Sequence, residues 1–110
     1  MTDWDVEYAR SEQAGSPVLA VTGEIDLSSA ARFAQELIAL VGDESDSVRV
    51  DLSAVTFLDS SGIRELLAAN RQAGTTGTRL VLTNPSSACR RVLEISGVLS
   101  EFVVEGTQDS

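Results

Sequence analysis

Residues 48–67 read VRVDLSAVTFLDSSGIRELL, and this stretch decides the fold class. Apolar and polar side chains alternate over residues 48–52, which is the pattern of a half-buried β-strand. Apolar side chains at Ile63 and Leu66 then follow helical spacing. The polar segment before them, Asp59-Ser60-Ser61-Gly62, offers candidate helix N-caps. The stretch therefore predicts a strand followed closely by a helix, as in an α/β protein.

The chain on both sides of this stretch continues the alternation of strands and helices. Strand patterns cover residues 4–10, 17–23, 48–52, 79–83 and 101–104. Helical spacing runs from Ala30 to a stop at Gly42, from Ile63 to a stop at Gly74, and from Ser86 through Val92, Ile95 and Leu99. The predicted order is β-β-α-β-α-β-α-β, a small mixed sheet with an antiparallel N-terminal hairpin and a parallel remainder. We expect six apolar residues of the helices in the core: Phe33, Leu37, Ile63, Leu66, Val92 and Ile95.

The composition excludes enzymes that depend on a histidine base, a reactive lysine or a Cys/His metal cluster. The chain has 110 residues, one cysteine and no histidine, and its eight basic residues are all arginine. Without histidine or lysine it has no imidazole base, no Schiff-base amine and no phosphate-loop lysine. One cysteine supplies neither a Cys/His metal cluster nor an internal disulfide. The length predicts a single domain over residues 1–110, with a polar tail from about residue 106.

The charge of the chain bears on its partners. The formal net charge is −9, and only Arg90 and Arg91 are adjacent basic residues. Nucleic-acid binding needs a clustered basic face, so we expect no direct contact with nucleic acid. No apolar run approaches 18 residues, and no signal peptide is visible. The expectation is a cytoplasmic protein without a membrane span, monomeric or weakly dimeric.

Two polar segments follow predicted parallel strands: Gly23-Glu24-Ile25-Asp26 and Asp59-Ser60-Ser61-Gly62. Functional groups collect at the carboxyl ends of such strands, so Asp26 and Ser60 are expected to lie close together. A helix N-terminus accommodates a phosphate, and Gly62 would leave room for one. The alternatives are that these residues only cap the helix, that Ser60 is a nucleophile with Asp26 or Asp59 as its base, or that the carboxylates bind Mg²⁺.

The segments 23–27, 50–53, 57–62 and 89–97 resemble the STAS family of anti-sigma factor antagonists. The resemblance extends from about residue 4 to residue 104. It implies a protein without catalytic residues, metal or cofactor, which binds an anti-sigma factor that is also a serine kinase. Phosphorylation of Ser60 would end that binding, and a serine phosphatase would restore it.

The same resemblance implies the residues of the site. The neighbours of the phosphorylated Ser60 would be Asp26, Asp59, Ser61 and Gly62. The surface that binds the partner would comprise seven residues: Glu24, Asp26, Leu27, Ser60, Ser61, Ile63 and Arg64. Some antagonists have a second glycine where this chain has Arg64, which bears on the choice of partner.

Two other functions stay open at this level. One is a STAS accessory subunit of a membrane transporter or a stress-signalling scaffold, without phosphorylation. The other is a Mg²⁺-dependent phosphohydrolase, which the absence of lysine disfavours. Three further features have structural interpretations: Trp4 packs on the hairpin, Cys89 is a buried small residue, and Arg90-Arg91 lies on a solvated helix face.

Overall fold

The computed structural model describes residues 6–43 and 45–106. Within them the strands are β1 (Val6–Gln13), β2 (Ser16–Ile25), β3 (Ser47–Leu58), β4 (Arg79–Thr83) and β5 (Val103–Glu105). The helices are α1 (Ala30–Val41), α2 (Ser60–Thr75) and α3 (Ser87–Ile95), and a 3-10 turn, Leu99–Glu101, precedes β5. The predicted element order is confirmed. Trp4, which was expected in the first strand, lies outside the described residues.

The five strands form one sheet in the order β1-β2-β3-β4-β5. β1 and β2 form an antiparallel hairpin, in which Val6 pairs with Gly23 and Gln13 pairs with Ser16. β2, β3, β4 and β5 are parallel to one another. The mixed sheet expected from the sequence is therefore confirmed, including its antiparallel hairpin.

The hydrophobic core lies between one face of the sheet and the three helices. Buried side chains of all three helices join one cluster with the strand residues Leu19, Val50 and Leu82. Four predicted core residues are buried in this cluster: Phe33, Leu37, Ile63 and Leu66. In the part of the chain that the structure describes, no helix is long and apolar enough to cross a membrane.

The prediction of Ile95 as a core residue was wrong, since its side chain is 80% exposed. The core face of α3 is formed by Cys89 and Leu93, one helical turn apart. Ile95 is two positions beyond Leu93, which places it on the opposite side of a helix with about 3.6 residues per turn. The prediction assumed one helical face running from Val92 through Ile95 to Leu99. The helix ends at Ile95, so that face does not continue to Leu99.

Four strands differ from their predicted bounds. β1 and β2 continue to Gln13 and Ile25, beyond their predicted ends at residues 10 and 23. The other two are β3 and the last strand. β3 continues from the predicted end at Leu52 to Leu58, and its pairing with β2 has two register shifts. Such shifts break the alternation of apolar and polar residues by which a strand is recognised. The last strand begins at Val103, because Glu101 belongs to the 3-10 turn and the Phe102 side chain packs into the core.

Ser86 joins the start of α3 to β3. Its hydroxyl donates a hydrogen bond of 2.6 Å to the Val55 carbonyl and accepts one of 3.2 Å from the Cys89 amide. Ser86→Ala removes both bonds, so we expect the free energy of unfolding to fall by about 1–3 kcal/mol. Urea unfolding measures this, with Ser87→Ala, a change at the exposed first residue of α3, as the control within about 0.5 kcal/mol of wild type. Equal losses in the two variants would contradict the assignment.

Candidate functional site

The ends of β2 and β3 bring the two predicted polar segments together. Ile25 pairs with Leu58, and the Asp59 amide donates a hydrogen bond of 3.2 Å to the Ile25 carbonyl. Asp26 directly follows Ile25 in the chain, and Ser60 directly follows Asp59, so the hydrogen bond between Ile25 and Asp59 holds the two segments side by side. We call residues 24–27 and 57–64 the carboxyl edge.

The carboxylate of Asp59 caps α2. Asp59 has an extended backbone, and its Oδ1 accepts hydrogen bonds from the amides of Ser61, at 2.9 Å, and Gly62, at 3.4 Å. These are two of the amides that a helix leaves free at its N-terminus, and a carboxylate there is also favoured by the helix dipole. Two of the amides that a phosphate at this helix start would use, those of Ser61 and Gly62, are therefore already bound to Asp59.

Ser60 is the first residue of α2, and its side chain is exposed. Within the described residues, its hydroxyl makes no hydrogen bond, either to Asp26 or to Asp59. Ser61 is half-buried, and its amide is the one bound by Asp59. The Ser60 hydroxyl is thus accessible to another protein, and among residues 6–43 and 45–106 it has no carboxylate partner that could act as its base.

Gly62 is needed by the core. It is buried, and a Cβ built on it would overlap Leu58 Cδ1 and lie 2.8 Å from Ile25 Cγ2. Real Cβ atoms essentially never approach so closely. The interpretation that Gly62 leaves room for a phosphate is replaced by a packing reason: this glycine lets α2 lie against the ends of β2 and β3.

Asp26 organises the turn between β2 and α1. Its Oδ1 accepts hydrogen bonds from the Ser28 hydroxyl at 2.7 Å, the Ser28 amide at 2.9 Å and the Ser29 amide at 3.3 Å. The Ser28 hydroxyl holds the pKa of the Asp26 carboxyl below its usual value, against a smaller opposing effect of burial. Asp26 therefore shapes its own turn as well as adding charge to the carboxyl edge.

Ser29 is the N-terminal flanking residue of α1 but makes no side-chain cap. Its buried hydroxyl instead accepts a hydrogen bond of 3.0 Å from the Asp26 amide and lies 3.2 Å from the Glu24 carbonyl, to which it can donate. The turn is therefore held from inside by Ser29 and from outside by the Asp26 carboxylate.

The predicted partner-binding residues differ in exposure. Leu27 is 77% exposed, and Glu24 and Arg64 are also exposed. Ile63 is only 7% exposed and belongs to the core, so it supports the carboxyl edge from below without offering a surface. Sequence reasoning missed Phe57, which is 47% exposed and pairs with Glu24 on the neighbouring strand. An aromatic residue on a strand is usually predicted to lie in the core. The register shifts between β2 and β3 break the alternation from which the exposure of Phe57 could have been predicted.

Other features of the described residues give weaker evidence for a functional site. Among the described residues, no group of three or more His, Cys, Asp or Glu side chains is placed to hold a metal ion. A groove of about 380 Å³ between α1 and α2 is lined by residues 34–42 and 65–76, none of them a predicted site residue. Cys89 is fully buried, and burial raises the pKa of its thiol, which makes it a packing residue. Arg90 lies 3.6 Å from Glu94 on the same helix.

Comparisons with known proteins agree with this architecture. The family model described as "Mlab, STAS domain" matches residues 8–104. The anti-sigma-F factor antagonist RsfB of Mycobacterium tuberculosis is 33% identical over 88 residues, covering 80% of this chain and 71% of that protein. The putative anti-sigma factor antagonist BtrV of Bordetella bronchiseptica is 29% identical over 96 residues, covering 87% of this chain and 83% of that protein.

A solved structure extends the likeness to three dimensions. The crystal structure of an anti-sigma factor antagonist from Mycobacterium paratuberculosis superimposes with a TM-score of 0.78 at 32% identity, covering 96% of this chain and 90% of that chain. The family match covers the three helices, both segments of the carboxyl edge and the sheet except for Val6, Glu7 and Glu105. The chain therefore belongs to the STAS domain family.

Proposed function

We propose that this chain is an anti-sigma factor antagonist controlled by phosphorylation of Ser60. In its unphosphorylated form it binds an anti-sigma factor that has serine kinase activity, through the carboxyl edge, and thereby frees a sigma factor. A phosphate on Ser60 ends the binding, and a serine phosphatase restores it. The chain acts as a binding protein and as a substrate of these enzymes.

The observation that carries the proposal is the Ser60 hydroxyl, exposed at the first residue of α2 and free of hydrogen bonds within the described residues. A kinase supplies its own catalytic aspartate, so an acceptor serine needs accessibility and no base of its own. Two curated relatives named as anti-sigma factor antagonists support the choice of partner.

Intact-mass spectrometry tests the modification. The chain is incubated with ATP and each anti-sigma factor of the histidine-kinase-like ATPase class from the same organism. We expect one kinase to add a single phosphate to the wild type and to Ser61→Ala, and none to Ser60→Ala. A phosphate that persists in Ser60→Ala would overturn the assignment of Ser60. Binding without any phosphate transfer would favour an accessory subunit or a scaffold.

A further inference from the structure

Five large apolar side chains are exposed on the described part of the chain: Leu27, Ile38, Phe57, Ile95 and Val103. Isolated exposed apolar residues are common on protein surfaces and need no functional reason. Two of these five, Leu27 and Phe57, lie in the carboxyl edge with Ser60. The grouping of both with the candidate phosphorylation site is what suggests a role.

Leu27 is held in position while its side chain remains 77% exposed. Asp26 directly precedes Leu27. Its carboxylate accepts hydrogen bonds from the amides of Ser28 and Ser29, the two residues that follow Leu27. The Ser29 hydroxyl also binds the Asp26 amide from the buried side. A turn whose backbone is fixed in advance loses little conformational entropy when a partner covers its exposed side chain, so Leu27 is suited to be an anchor.

The charges around Leu27 indicate the chemistry of the partner. Glu24, Asp26 and Asp59 carry negative charge at the carboxyl edge, and Arg64 is its one basic residue. The whole chain has a net charge of −9, so a partner with basic side chains around an apolar pocket would be attracted and correctly oriented. Phosphate on Ser60 would add further negative charge beside the same anchor.

We propose that Leu27 is the apolar anchor of the interface, positioned by Asp26, and that it enters an apolar pocket with a basic rim on the anti-sigma factor. This inference rests on the proposed function and names the contact by which the partner is held. Asp26 supplies one of the three negative charges of the carboxyl edge, and it is also a positioning residue, since it sets the conformation of the turn that carries Leu27.

Binding to the anti-sigma factor that phosphorylates Ser60, measured by isothermal titration calorimetry, tests the anchor. We expect Leu27→Ala to weaken binding about 30-fold and Leu27→Met to remain within about 3-fold of wild type. Ile95→Ala is the matched control, because Ile95 is 80% exposed and ends α3 away from the carboxyl edge. Leu27→Ala should leave the melting temperature unchanged, so that a loss of binding cannot be attributed to unfolding.

Two substitutions of Asp26 separate positioning from charge. Asparagine keeps an oxygen that can accept the bonds from Ser28 and Ser29, so Asp26→Asn should bind within about 3-fold of wild type. Asp26→Ala removes the acceptor and should weaken binding about 10-fold. Equal losses in the two variants would show that the charge, rather than the turn, is what matters.

The outcomes distinguish this inference from the proposed function. Wild-type binding in Leu27→Ala, with binding and phosphorylation of the wild type intact, overturns the anchor and leaves the proposed function standing. A wild-type chain that neither binds an anti-sigma factor nor accepts phosphate overturns both.

Discussion

Ser60→Asp should weaken binding of the anti-sigma factor about 100-fold, whereas Ser60→Ala should bind in the presence of ATP as tightly as in its absence. A loss of about 3 kcal/mol is enough for a change of this size. Burying an unpaired charge at an interface costs several kcal/mol, and a like charge about 8 Å away adds roughly 1–2 kcal/mol at an effective dielectric of about 20–40.

The cap on α2 explains why the added charge would not be absorbed within the chain. Asp59 already binds the Ser61 and Gly62 amides, so an anion at Ser60 finds them occupied and stays directed towards the partner. Ser100→Asp is the control, since it adds the same charge at an exposed position shortly before β5, where the parallel strands begin. Equal affinities of Ser60→Asp and Ser60→Ala would refute control by charge at this serine.

Gly62→Ala should lower the free energy of unfolding by about 2–3 kcal/mol, a large effect for one added methyl group. The new Cβ would overlap Leu58 and approach Ile25, both almost fully buried. Overfilling a packed core in this way costs about 1–3 kcal/mol, because the helix or the strands must move. Movement of α2 would also displace Ser60, so binding of the anti-sigma factor should weaken as well.

The same substitution elsewhere on α2 should have the opposite sign. A Cβ added at Gly74 meets no atom within 4 Å. Gly74→Ala should therefore stabilise the protein by about 0.5–1 kcal/mol, through the higher helix propensity of alanine. Urea unfolding of the two variants measures both changes, and a stabilising Gly62→Ala would contradict the packing seen here.

Regular periodicity made most of the fold predictable. α1 was placed at Ala30–Val41 and β4 at Arg79–Thr83, because their apolar residues repeat cleanly and polar or glycine residues bound them. The end of β3 could not be read, since its extra residues against β2 depend on pairing between distant segments. The prediction of Ile95 as a core residue failed for a related reason: which face of a short helix is buried depends on the elements that pack against it.

The carboxyl edge was predictable in outline only. Two polar segments after parallel strands indicated that Asp26 and Ser60 would be close, and the strand pairing brings the two segments together. The sequence could not show that Asp59 occupies the helix amides, that Ile63 is buried, or that Leu27 projects. Those properties depend on side-chain direction, which residue types and spacing leave open.

The order of strands in the sheet has a consequence for how the chain folds. Every strand pairs with the strand that follows it along the chain, from β1 to β5. No pairing has to wait for a segment from the far end, and this keeps the entropy lost in closing loops small. A chain leaving the ribosome can therefore add one strand and its helix at a time to a growing sheet.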